Sequence, residues 1–136
     1  MALALFAILA AIAIPNWASQ LPTYRLNSAA RQVQSELHRV RSQAVAGSAD
    51  FRLLFLTPAR YRIERNDGVS YQPTGEDKPL PDGVSYGNAT NVGFINFTPR
   101  GTANGGTVQL CNSKREGKNI IILSSTGRVR VKSEAC

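Results

Sequence analysis

Arg128, Arg130 and Lys132 alternate with Val129 and Val131 in the stretch "GRVRVK". In a β-strand, alternate side chains share one face and lie about 6.6 Å apart along it. Val129 and Val131 can then face inward while the three cations face solvent together. That spacing is close to two steps of duplex rise, about 6.8 Å along one strand. A cation ladder of this pitch suits successive phosphates, and such binding is sequence-tolerant and salt-sensitive. The same pattern also suits a bare edge strand, where Lys and Arg block further pairing. Three more cations, Lys114, Arg115 and Lys118, precede it in the loop after Cys111.

The whole chain leans the same way. Sixteen Lys and Arg against nine Asp and Glu give a formal charge of +7 over 136 residues. Such an excess favours polyanions, whether nucleic acid, anionic lipid or acidic glycan, without choosing among them. Catalytic patterns are missing. His38 is the single histidine, and no GxSxG, HExxH or P-loop occurs; "GTANGG" lacks the Lys-Ser/Thr ending that a phosphate cradle requires. No enzymatic activity, metal or cofactor is expected.

Cys111 and Cys136 are too far apart for a CxxC redox motif, and one histidine cannot complete a zinc site with them. A disulfide tying the C-terminal stretch back to the sheet is expected, with two free thiols as the alternative. Closing a loop of about 25 residues stabilises by on the order of 3 kcal/mol in the chain-entropy view. It also implies an oxidising compartment such as the periplasm or cell exterior. It would draw Lys114, Arg115 and Lys118 toward the cations of 128–132.

The elements that position these residues follow from periodicity. Residues 1–24 carry no charge, and an apolar stretch of roughly twenty residues can span a bilayer as a helix. Trp17 and Tyr24 suit its interfacial end, while Pro15 and Pro22 are expected to kink or locally melt it. A cleaved signal, which would need a basic n-region, and a buried core helix are the alternatives. From Leu26 onward, Leu26, Ala30, Val33, Leu37, Val40 and Ala44 form one apolar stripe of an amphipathic helix, with Gly47 as its stop. Strands are expected at 51–56, 61–65, 84–86, 92–97, 107–111, 119–123 and 128–131, separated by Pro/Gly-rich turns. The fold class is α+β. A long N-terminal helix, membrane half (1–24) plus amphipathic half, packs on an antiparallel β-sheet head within 25–136.

"AILAAIAIPNW" followed by "YRLNSAARQVQSELHRVRSQAV" resembles the type IV pilin and pseudopilin class. Together with the closing "SSTGRVRV", the chain resembles the GspH/FimT family of minor pilins and pseudopilins, FimT-like or FimU-like members above all. The resemblance implies a pilin-like shape. The apolar helix would sit in the bacterial inner membrane and then against other pilins in a filament, with the head in the periplasm or at the cell surface. It also implies three possible roles. A FimT-like minor pilin binds DNA during natural transformation through a Gly-Arg-x-Arg motif, matched by Gly127, Arg128, Val129 and Arg130. A FimU-like minor pilin helps prime pilus assembly, and an H-type pseudopilin serves type II protein secretion. The family pattern opens with a basic leader, a cleavage site and a Phe-Thr-Leu-Ile-Glu-like start. Set on "AIPN", its Glu would fall before Met1, so an N-terminal truncation relative to the family, or a late start, is expected.

Overall fold

One apolar stripe organises the molecule. The computed structural model describes residues 2–136, with the side chains of residues 12–17 outside the described set. Trp17 and the side chain of Pro15 fall in that stretch. Helix α1 runs from Ala2 to Gly47. Leu26, Ala30, Val33, Leu37, Val40 and Ala44, the residues of the expected stripe, are all buried, together with Ala29. Their spacing of three and four puts them on one side of a 3.6-residue helix. The helix stops at Gly47 as expected, but the left-handed residue that turns the chain is Ser48, at φ 47°. The local melting expected at Pro22 does not occur, since α1 is helical through it. The head grips both sides of that turn: Lys114 Nζ bonds the Ser19 carbonyl, and the Thr23 hydroxyl donates to Glu116 Oε1 at 2.7 Å.

After Ser48 the chain builds two antiparallel sheets. The first holds β1 (Phe51–Leu56), β2 (Arg60–Asn66), β3 (Tyr71–Pro73), β4 (Lys78–Pro79) and, after the chain has left for the second sheet and returned, β6 (Phe94–Phe97). Its order is β3-β2-β1-β6, with β4 also on β2. The second sheet has the order β5 (Ser85–Tyr86), β7 (Gly106–Cys111), β8 (Gly117–Ile122) and β9 (Val129–Ser133). β3 and β4 were not expected. Each contains a proline and lies at the periphery, where a missing donor costs no ladder bond.

In β1, Phe51, Leu53 and Phe55 are buried, and Arg52, Leu54 and Leu56 are not. Leu53 lies between Ile63 and Ile95 in register. In the second sheet Val108, Leu110, Ile120, Ile122 and Val129 face the same core. α1 crosses both sheets, touching β1, β6, β7, β8 and β9. Polar contacts flank the stripe: Gln32 donates to the Tyr61 hydroxyl at 2.8 Å, and Lys78 pairs with Glu36 at 3.1 Å.

Below the head, Leu3, Leu5, Phe6, Ile8 and Leu9 are exposed. Among the described residues no helix is long and apolar enough to cross a membrane. The span expected over 1–24 includes residues 12–17, outside the described side chains.

Candidate nucleic-acid interface

β9 is the terminal strand of its sheet, so one of its edges has no strand partner. Its other edge pairs with β8, Ile122 opposite Val129, Ile121 opposite Arg130, Ile120 opposite Val131 and Asn119 opposite Lys132. Directly opposed residues share a face. Arg130 and Lys132 therefore stand on the face away from α1, Arg128 precedes the strand in the turn, and all three are exposed. Among the described residues none of the three forms an ion pair. Val129 is buried at 8 %, as the alternation predicts, but Val131 is 39 % exposed. Val131 lies at the open edge, where it lines a groove with residues of α1.

The turn before β9 explains the glycine. Gly127 sits at φ 65°, where L side chains are strained. A Cβ there would also lie 2.3 Å from the Gly101 carbonyl oxygen, the same oxygen that accepts a 3.0 Å bond from Arg41 Nε. Backbone bonds from Gly127 N to the Leu123 carbonyl (2.8 Å) and from Leu123 N to the Arg128 carbonyl (2.9 Å) close the turn. Gly127 thus aims Arg128, and its role is close approach.

The tail is ordered and pinned. Cys111 and Cys136 form the expected disulfide, with Cα atoms 6.1 Å apart. Glu134 N donates to the Gly117 carbonyl and Cys136 N to the Arg115 carbonyl at 2.9 Å. Gly117 makes room, since a Cβ there would fall 2.2 Å from the Glu134 carbonyl oxygen. In loop 112–116, Asn112 Oδ1 accepts from both Lys114 N and Glu116 N at 3.0 Å. The bonds from the Thr23 hydroxyl and the Asn112 amide hold the Glu116 carboxyl below its ordinary range.

The disulfide does not gather the cations into one cluster. Gly127 lies beside Arg41, whereas Glu116 lies beside Thr23, about 27 Å further down the helix. Arg128, Arg130 and Lys132 come together. Lys114 and Arg115 lie in the loop beyond the far end of β9, with Lys114 turned onto α1 and so away from that row. Lys118 stands on the other face: it opposes Ser133 in register, and its Nζ bonds Ser133 Oγ at 2.6 Å. Glu134 ends the ladder, accepting a 2.7 Å bond from the buried Asn119 amide. α1 adds two cations that the strand pattern did not nominate. Arg41 caps the Gly101 carbonyl, and Arg31 lines a groove with Lys118 and Val131. Their helical spacing of ten residues was visible; which sheet edge they face was not.

The family model described as Type II transport protein GspH matches residues 29–127. That range takes in most of the amphipathic helix and the strands through Gly127. The comparison with curated protein sequences found no match. Solved structures with the same fold include the minor pseudopilin EpsH from the Type 2 Secretion System of Vibrio cholerae, 12 % identical, covering 80 % of this chain and 97 % of that one at a TM-score of 0.64. The type IV minor pilin FimU of Pseudomonas aeruginosa is 20 % identical, covering 84 % of this chain and 96 % of that one at a TM-score of 0.66.

Proposed function

The chain belongs to the GspH family, and from that premise we propose that it is a minor pilin or pseudopilin whose head binds DNA through the cations at and before β9 during DNA uptake. Pilins and pseudopilins are structural families, so binding rather than catalysis is the activity sought. The observation that carries the reading is the row of Arg128, Arg130 and Lys132. All three are exposed and form no ion pair among the described residues; Arg130 and Lys132 share one face of a strand with one open edge, and Arg128 stands in the turn just before it. A strand pitch of about 6.6 Å lets the row track phosphates without reading bases. Arg115, exposed in the loop beside the tail, adds a cation beyond the row, while Lys114 is bonded to α1. In this reading the apolar residues of the lower helix, Leu3 to Leu9, rest in the inner membrane and later against other pilins, and the head faces the periplasm.

Binding of fluorescent duplexes of unrelated sequence to the full chain in a non-ionic detergent tests this. Equal affinity for all of them, falling steeply with salt, is expected. No binding at 50 mM salt, a concentration at which phosphate contacts are strong, would end the reading.

A structural role in pilus priming or type II secretion is the second reading, favoured by the fold shared with FimU and EpsH. In it the β9 cations protect an edge. Deleting the gene separates the two. Lost transformation with normal piliation and secretion supports DNA uptake; lost pili or lost secreted proteins supports the structural role.

A further inference from the structure

The open edge of β9 has a second side. Between it and α1 lies a groove of about 330 Å³ lined by Asn27, Ala30, Arg31 and Gln34 from the helix and by Lys118 and Val131 from the sheet. Ala30 is buried and Val131 is 39 % exposed, and these two make the apolar part of its lining. The polar groups lining it are two cations and two primary amides, and no carboxylate lines it. Among the described residues neither Arg31 nor Lys118 forms an ion pair. Lys118 bonds Ser133 Oγ at 2.6 Å and feels the Glu116 carboxylate, while Arg31 beside it is a second like charge, so an entering anion gains attraction from both. A guanidinium fork, an ammonium and amide N–H groups are all donors that fit phosphate oxygens.

This groove opens on the face of β9 opposite to Arg130 and Lys132, because Lys118 opposes Ser133 while Asn119 opposes Lys132. Cations therefore lie on both sides of the edge strand: its own Arg130 and Lys132 on one, Lys118 of β8 and Arg31 of α1 on the other. We propose that Arg31 and Lys118 form a second phosphate-binding wall, so that the β9 edge meets both backbones bordering one groove of a duplex. This rests on the DNA reading above and names duplex, rather than single-stranded, DNA as the form selected. A single strand has one backbone and can occupy only one wall at a time.

The test measures binding of the full chain, in non-ionic detergent, to a duplex and to one of its single strands across a salt series. The Arg31→Ala/Lys118→Ala variant is expected to lose about tenfold in duplex affinity at low salt. Its slope of log affinity against log salt should shrink by about 2, one for each phosphate contact. Single-strand affinity should change less than twofold. Arg60→Ala/Arg65→Ala, which removes the same charge from the other sheet, should leave both affinities within twofold. Arg31→Ala alone, on the exposed helix surface, should give about half the slope change and guards against a folding defect at Lys118. Unchanged duplex affinity in these variants overturns the second wall. Equal losses on duplex and single strand, or equal losses in the control variant, overturn it too, leaving only diffuse attraction. If Arg128→Ala/Arg130→Ala still lowers duplex affinity, the DNA reading survives that failure. If it does not, the reading and the second wall fall together.

Discussion

The Gly101 carbonyl oxygen accepts a hydrogen bond from Arg41 Nε at 3.0 Å and lies 2.3 Å from where a Cβ on Gly127 would stand. One oxygen thus joins the helix, the loop after the first sheet and the turn that launches β9. The glycine of the Gly-Arg-x-Arg stretch is explained by this contact, independent of any ligand.

Gly127→Ala is therefore expected to destabilise the head by about 1–3 kcal/mol and to lower DNA affinity through Arg128. Gly127→Asn separates the causes. Asparagine tolerates the left-handed backbone but still carries a Cβ, so it should be no better than alanine by chemical denaturation. Full recovery in Gly127→Asn would assign the effect to φ alone.

Removing the disulfide should now affect stability more than binding. The sequence suggests that Cys136 concentrates the cations, so that Cys136→Ser would weaken DNA binding. In the structure β9 pairs with β8 from Val129 to Ser133 without help from the disulfide, which fastens only the end beyond Glu134. Cys136→Ser is expected to cost on the order of 3 kcal/mol and to change duplex affinity less than threefold. A large affinity loss at unchanged melting temperature would return the disulfide to the binding site.

Glu116 gives a pH dependence whose sign follows from its partners. Its folded-state pKa is lowered, first by the Thr23 hydroxyl and then by the Asn112 amide. A lowered carboxylate contributes stability that is fully present above the unfolded value, about 4.3. It is lost as pH falls through the lower folded value. Acidification from pH 5 toward pH 3 should loosen loop 112–116 from α1. Melting temperatures of the native chain and Glu116→Gln across that range check this. The variant should lose less on acidification, and parallel curves would contradict the account.

Leu37 is fully buried in the stripe under both sheets. Leu37→Ala should cost about 2–5 kcal/mol, the range for cavity-forming core substitutions, while His38→Ala beside it on the exposed side should cost under about 0.5 kcal/mol. Urea denaturation reads both.

The stripe from Leu26 to Ala44 was legible because period and burial coincide in a helix that covers two sheets. The strand at Phe51–Leu56 was legible too, but its buried face, Phe51, Leu53 and Phe55, was hidden because residues 53–56 are all apolar. The face of Lys118 was not legible either. "NIIIL" is apolar at successive positions, so its parity is hidden, and only pairing with Ser133 fixes it. The division into two sheets also escaped the sequence. It depends on the chain crossing from β5 to β6 and back to β7, and nothing in the turn residues distinguishes a hairpin from a change of sheet. Arg31 was passed over because a helix surface does not announce which sheet edge it faces.

The central claim is that Arg128 and Arg130 hold DNA by its phosphates. Duplex affinity of the full chain and of Arg128→Ala/Arg130→Ala, measured by fluorescence anisotropy from 50 to 300 mM salt, tests it most directly. The account predicts weaker binding in the variant and a salt slope smaller by about 2, at an unchanged melting temperature. The same affinity and the same slope in both proteins would contradict it.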